Sequence, residues 1–197
     1  MKKRVGMFGG SFDPPHLGHL IVAERAREEL GLGLVVFVPS SVAPHKQRGS
    51  VASSNDRLRM TSLAVKGHSQ FAVSPFEIRQ NNVCYTVDAV EYFSQHYNEA
   101  ELYFLIGEDN LRGFRSWKSP SRILELAKLA AYHRGKPLDK RSLRGMSHRI
   151  EWISGEQIPI SSSDIRHRRE RGRSIRLLVP DAVHRYIVQR ALYTTSR

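Results

Sequence analysis

Gly9-Gly10-Ser11-Phe12-Asp13-Pro14-Pro15-His16-Leu17-Gly18-His19 is the stretch whose reading decides the fold. It follows a short apolar run, Val5 to Phe8, and leads into a helical-looking segment, Leu20 to Leu30. Strand, glycine turn and helix start, in that order, let backbone N–H groups and a helix dipole meet a phosphate. Neither familiar phosphate loop is present, since the chain holds no G-x-G-x-x-G and no G-x-x-x-x-G-K-[ST]. Two imidazoles stand in place of the P-loop lysine. His16 and His19 are three residues apart, so at a helix start both rings can lean to one side. By themselves they suit a metal pair, an acid–base pair or two donors for phosphate, with capping or packing as the plain alternative. H-x-x-H alone is a weak zinc signal, because zinc wants a third protein ligand.

Working outward, Leu20, Ala23, Ala26 and Leu30 form a helical stripe that Gly31 and Gly33 end. Leu34-Val35-Val36-Phe37-Val38 is the cleanest strand in the chain, stopped by Pro39. One β-α-β unit, expected to be right-handed, therefore spans residues 4–38. Beyond a polar loop, Ser40 to Ser54, Asn55 or Asp56 is expected to cap a helix running to about Val65. Phe71–Val73 reads as a strand, Asn81-Asn82 as a turn, and Thr86 through Tyr97 as a helix. Leu102 to Ile106 is another buried strand, closed by Gly107. Ser119-Pro120 opens a helix to about Leu126, followed by strands at Leu129–Tyr132 and Ile150–Ile153. Ser161-Ser162-Ser163-Asp164 reads as a run of cap residues, and Pro180 opens a last helix to about Leu192. Alternating strands and helices without a linker or repeat predict one α/β domain, residues 1–197, on a mostly parallel sheet.

The net charge is +12, and residues 134–197 alone hold 15 Lys/Arg against 6 Asp/Glu. Such a field favours anionic partners: nucleotides, nucleic acid or an anionic membrane surface. Arg168, Arg169, Arg171 and Arg173 read as solvated surface charge. Basic residues interleaved with aromatics are lacking, which speaks against a nucleic-acid-binding module as the main function. Cys84 is the single cysteine, so no internal disulfide can form and a reducing compartment is expected. The apolar run behind Met1-Lys2-Lys3-Arg4 is too short for a signal peptide, and no segment reaches membrane-span length. A cytoplasmic protein with no membrane partner is the simplest expectation.

The motif Gly-x-Phe-Asp-Pro-x-His-x-Gly-His resembles the signature of the nucleotidyltransferase superfamily. Within it the chain is similar, from first strand to last helix, to the bacterial nicotinate-nucleotide adenylyltransferase family. The likeness rests on Gly9–His19, Pro44-His45-Lys46, Tyr85-Thr86-Val87-Asp88, Phe104–Asp109, Trp117, Ile160–Arg166, and Val179-Pro180 with Tyr186-Ile187. It implies a Rossmann-like, doubly wound sheet with helices on both faces. It also implies transfer of AMP from ATP to nicotinate mononucleotide, with Mg²⁺ carried on the ATP and no dedicated protein ligands. His16, His19, Lys46 and Arg166 would then carry the catalysis. Gly9, Gly10, Ser11, Phe12, Gly18, Gly107, Asp109, Ile160, Ser161, Ser162 and Ser163 would bind ATP. His45, Lys46, Tyr85, Thr86 and Trp117 would bind the mononucleotide, the tryptophan stacking the pyridine while amides near Tyr85 and Thr86 hold its carboxylate.

The chemistry fits these residue types. The attacking phosphate is already ionised at neutral pH, so no general base is needed, and no obvious nucleophile–base pair is present. A sister enzyme acting on nicotinamide mononucleotide or phosphopantetheine is the nearest alternative; Trp117 and Tyr85-Thr86 speak against the latter. Cys84, Ala89 and Ser163 depart from residues common in the family, without removing a charged donor. The oligomeric state is left open, a homodimer being the one assembly considered.

Overall fold

The computed structural model describes residues 3–41, 52–80, 83–132, 146–155 and 157–194. The opening β-α-β unit is β1 (Lys3–Gly10), α1 (Leu17–Leu30) and β2 (Leu34–Pro39). The helix starts three residues earlier than its apolar stripe, which leaves His16 just ahead of it and His19 in its first turn. After α2 (Ser54–Val65), β3 (Phe71–Val73), α3 (Phe76–Arg79) and α4 (Thr86–His96) comes the buried strand β4 (Ala100–Gly107). Then follow α5 (Glu108–Leu111), α6 (Pro120–Leu126), β5 (Lys128–Tyr132), β6 (Ile150–Ile153), α7 (Ser162–Glu170) and α8 (Asp181–Gln189).

The six strands form one parallel sheet in the order β3-β2-β1-β4-β5-β6. Phe8 pairs with Leu105, Leu105 with Ala130, and Ala130 with Glu151. Burial of every residue from Leu102 to Gly107 explains why β4 reads as a continuous apolar run rather than an alternating one. The order is that of a Rossmann-type sheet, reversing direction between β1 and β4. At such a switch point ligands collect beyond the carboxyl ends of the strands, here Gly9 and Gly107.

Internal contacts divide the chain into two compact units. The first comprises Met1–Gly9, Val22–Val36 and Tyr85–Ile158. Met7, Leu105, Leu129, Ile123, Val90 and Phe93 are buried in it. The second comprises Gly10–Ile21, Phe37–Cys84 and Pro159–Arg197. Its core joins Met60 and Ala64 of α2, Ile165 of α7, Val183 and Ile187 of α8, and the later Tyr193.

Three local expectations are corrected. The α2 cap is Ser53, not Asn55 or Asp56. Its Oγ accepts the Asp56 N–H at 3.1 Å and donates to Asp56 Oδ2 at 2.6 Å, so hydroxyl and carboxylate cap reciprocally. The last helix stops at Gln189 rather than Leu192, because Ala191 turns left-handed at φ 49°. Arg168 is not simply solvated, since its Nε donates to the Ser174 carbonyl at 3.0 Å just past α7. The single-turn helices α3 and α5 were not expected; four residues are too few to show a period. Asn81-Asn82 and most of the basic 134–148 stretch lie outside the described residues.

Candidate active site

The second unit carries the signature stretch from Gly10 onward. Gly9 and Gly10 are not a turn: they are the last two residues of β1, and the left-handed backbone falls on Phe12, at φ 47°. The Gly10 carbonyl accepts the Ser40 N–H at 2.9 Å, which keeps the strand extended to its end. Gly10 still matters, because a Cβ there would lie 3.1 Å from the Phe12 ring and the buried ring would have to give way. At Gly9 a Cβ would meet only Phe104 at an ordinary 3.5 Å. Phe12, folded back and buried, sets its edge against His19 at 5.0 Å and leans on Phe37 at 5.6 Å.

His16 and His19 are stacked, with ring centroids 3.6 Å apart and planes 25° from parallel. The His16 N–H donates to His19 Nδ1 at 3.2 Å. A backbone N–H can only donate, so Nδ1 accepts and the neutral ring carries its proton on Nε2. His16 is buried, whereas His19 is half-buried. Of the helix-start amides, that of Leu17 is bound to the Leu178 carbonyl at 3.0 Å, so not every N–H expected to meet an anion is available to one.

Three carbonyls of the stretch are held from outside it. Arg57 Nη1 donates to Ser11 O at 2.8 Å, Arg166 Nη1 to Asp13 O at 2.7 Å, and Ser162 Oγ to Pro14 O at 2.9 Å. The Asp13 carboxylate is buried and accepts from the Tyr193 hydroxyl at 2.7 Å and the Ala52 N–H at 3.2 Å. The structure thus brings Gly10, Ser11, Phe12, His16, Gly18, His19, Ser162 and Arg166 into one cluster. Ser161 is the α7 cap, accepting the Asp164 N–H at 3.1 Å; Ser163 Oγ accepts from Arg166 Nη2 at 3.4 Å, and Ile160 precedes them half-buried.

In the first unit, Gly107 ends β4 and Asp109 is exposed in the short helix after it. Trp117 is half-buried, its ring 6.1 Å from Phe104 and 5.4 Å from Phe114, so it is packed against aromatic neighbours without being a core residue. Tyr85 is exposed and Thr86 half-buried at the start of α4. The Tyr85 N–H is not open to a substrate carboxylate as expected, because Asp88 Oδ2 accepts it at 2.8 Å. An acidic residue at the third helical position closes back on the amide before the helix, which satisfies a donor the helix cannot. Lys118 lies 4.3 Å from the Tyr85 ring centre and 3.9 Å from Asp88 Oδ1.

His45 and Lys46 lie outside the described residues. Arg57, Lys118 and Tyr193 were missed by sequence reasoning. Arg57 had a signal, since it falls on the buried stripe of α2 with Met60, Thr61 and Ala64, where a cation needs partners. Burial pushes its guanidinium below the ordinary value, against the pull of Asp13. Tyr193 had no signal short of the tertiary structure. Its hydroxyl is pushed far up, first by burial and then by the Asp13 charge, and stays protonated. Among the described residues no group of three or more His, Cys, Asp or Glu could hold a metal ion, and no helix could cross a membrane.

Residues 7–168 match the model of the cytidylyltransferase-like family. The chain belongs to that family, a class of nucleotidyltransferases, as its strand order and histidine-bearing helix start imply. The probable nicotinate-nucleotide adenylyltransferase of Thermomicrobium roseum is 42% identical, over 98% of this chain and 92% of that one. The relative of the same description in Rhodopirellula baltica is 40% identical, over 96% and 92%. Such relatives place the chain, within the family, among the nicotinate-nucleotide adenylyltransferases. Plasmodium falciparum nicotinic acid mononucleotide adenylyltransferase complexed with NaAD shares the fold, with a TM-score of 0.80 over 97% of both chains at 18% identity.

Proposed function

We infer that the protein transfers the adenylyl group of ATP to nicotinate mononucleotide, releasing pyrophosphate and forming nicotinate adenine dinucleotide. The observation that carries this reading is the stacked His16–His19 pair at the start of α1, with Arg166 tethered beside it. A phosphate oxygen of the mononucleotide attacks the α-phosphorus of ATP, and the bond to the β-phosphate oxygen breaks. The protein's task is to hold the two polyanions in line and offset charge on the departing pyrophosphate. His19 Nε2–H and His16 serve the phosphates, together with the Arg166 N–H groups not given to Asp13 and the amides of Gly18 and α7. Gly9, whose hydrogen nothing in the protein requires, lets a ligand approach the strand end.

Mg²⁺ enters on ATP, where it neutralises phosphate charge. The carboxylate beside the histidines, Asp13, is engaged by Tyr193 and Ala52, which leaves the cluster a set of neutral and cationic donors suited to phosphate oxygens. Asp109 orders the site or meets ribose hydroxyls. The exposed face of Trp117 stacks the pyridine, and the Thr86 amide with Lys118 favours a ring carboxylate over a carboxamide. Lys46 and His45 contact the mononucleotide phosphate. A single cytoplasmic domain acting on small molecules, without nucleic acid, completes the reading.

The test is pyrophosphate release from ATP with either pyridine mononucleotide. Release with nicotinate mononucleotide, and much less with the amide, is expected. Silence with both refutes the reading, and preference for the amide moves it to the sister specificity.

A further inference from the structure

We propose that Tyr193, near the end of the chain, is a positioning residue for adenylyl transfer, its hydroxyl setting the His16–His19 stretch through the carboxylate of Asp13. The proposal rests on the reaction inferred above. Tyr193 is 5% exposed and belongs to the core that α2, α7 and α8 share. Two residues past α8, Ala191 and Tyr193, both take left-handed backbone, at φ 49° and 58°. Such conformations are costly in residues other than glycine. Their result is to turn the chain and deliver the phenol to Asp13.

A tyrosine that only packs would be content with any acceptor, because a buried hydroxyl needs one. This acceptor is the carboxylate of the signature stretch, 180 residues earlier in the chain and three residues ahead of His16. The bond is short, at 2.7 Å, and charge-assisted, the stronger kind. It is one end of a chain of contacts. The carbonyl of the same Asp13 holds Arg166 Nη1 at 2.7 Å, and Asp13 Oδ1 also accepts the N–H of Ala52 at 3.2 Å. Asp13 therefore joins the C-terminal segment to the backbone that carries the histidines and to the arginine that forks toward the phosphates. Without the hydroxyl, a buried carboxylate loses a charge-assisted donor at 2.7 Å, and the backbone it carries is held less firmly. Because the phenol stays protonated, it acts as a fixed donor and takes no proton in the reaction.

The experiment compares wild-type protein with Tyr193→Phe, which keeps the ring, and measures steady-state kinetics alongside circular dichroism and calorimetric binding of a non-hydrolysable ATP analogue. Tyr193→Phe is expected to lose about tenfold in kcat and to bind the analogue several-fold more weakly, with KM for nicotinate mononucleotide within about twofold, as misplaced phosphate donors would give. A purely structural hydroxyl would lower the melting temperature and leave that split absent. Wild-type kcat and analogue affinity in Tyr193→Phe overturn the proposal. Asp13→Asn provides a second route, preserving volume should Tyr193→Phe melt below the assay temperature. The double variant is expected to be no slower than Asp13→Asn alone, and losses that multiply overturn the link. The binding arm reads positioning independently of turnover. Wild-type protein that releases no pyrophosphate refutes the reaction, while unchanged analogue binding in Tyr193→Phe refutes the positioning.

Discussion

At His19 a single hydrogen bond decides what the side chain can do. With Nδ1 engaged by the His16 N–H at 3.2 Å, the neutral ring carries its proton on Nε2. His19→Ala removes that donor and is expected to cost about 10²–10³ in kcat with the fold retained. His19→Asn, whose amide nitrogen can stand near the lost N–H, is expected to recover part of it; steady-state pyrophosphate release on both variants checks the order. Trp117, half-buried against Phe104 and Phe114, predicts the complementary result. Trp117→Ala is expected to raise KM for the mononucleotide more than for ATP, and equal losses would mark it as structural. Arg57 answers a different need. Its guanidinium spans the carbonyls of Ser11 and Ser41, both at 2.8 Å, and lysine cannot reproduce that fork. Arg57→Lys is expected to destabilise the protein by about 1–3 kcal/mol, read from urea unfolding, since one partly buried carbonyl loses its donor and a buried cation loses a partner.

Among the elements, α2 and α8 are tied by more than their apolar faces. Asp56 accepts from Ser53, from the Tyr186 hydroxyl at 2.8 Å, and pairs with Arg190 at 3.5 Å. The Ser53 hydrogen bond, then those of Tyr186 and Arg190, hold its carboxyl below the usual carboxylate range despite burial. A carboxyl whose folded pKa is depressed contributes stability that is full above its unfolded pKa of about 4 and is lost as pH falls through the folded value. The urea midpoint is therefore expected to fall as pH drops below about 4, and Asp56→Asn to flatten part of that fall. These two helices also show what was readable and what was not. The period of Val183, Ile187 and the Pro180 start announced α8, but nothing announced that Ala191 would reverse the chain. The reversal depends on where Tyr193 finds an acceptor, which is a tertiary fact. Likewise the cap of α2 fell on Ser53 because three neighbouring polar residues compete locally, and the winner is the one whose hydroxyl can both accept and donate.

For the whole molecule, the charge of +12 acts on ligands before any contact forms. A polyanionic substrate meeting such a field associates faster at low salt, so the on-rate for ATP is expected to fall steeply as ionic strength rises past about 0.1 M, while the off-rate changes little. Stopped-flow binding of a fluorescent ATP analogue checks this. The sequence by itself determined the alternation of strands and helices, the extent of β2 and β4, and the residues of the signature stretch, because hydrophobic period and glycine or proline punctuation are local properties. It also determined the family, through motifs spread along nearly the whole chain. Only the tertiary structure decided that the glycines end a strand while Phe12 makes the turn, and that Asp88 takes the Tyr85 amide. It alone revealed that Arg57, Arg166 and Ser162 close on the carbonyls of one short stretch, and Tyr193 on its carboxylate. Those contacts join residues as far as 180 positions apart. Whether a buried carbonyl or carboxylate finds its donor is settled by which distant side chains the packed core delivers to it, and no local pattern records that.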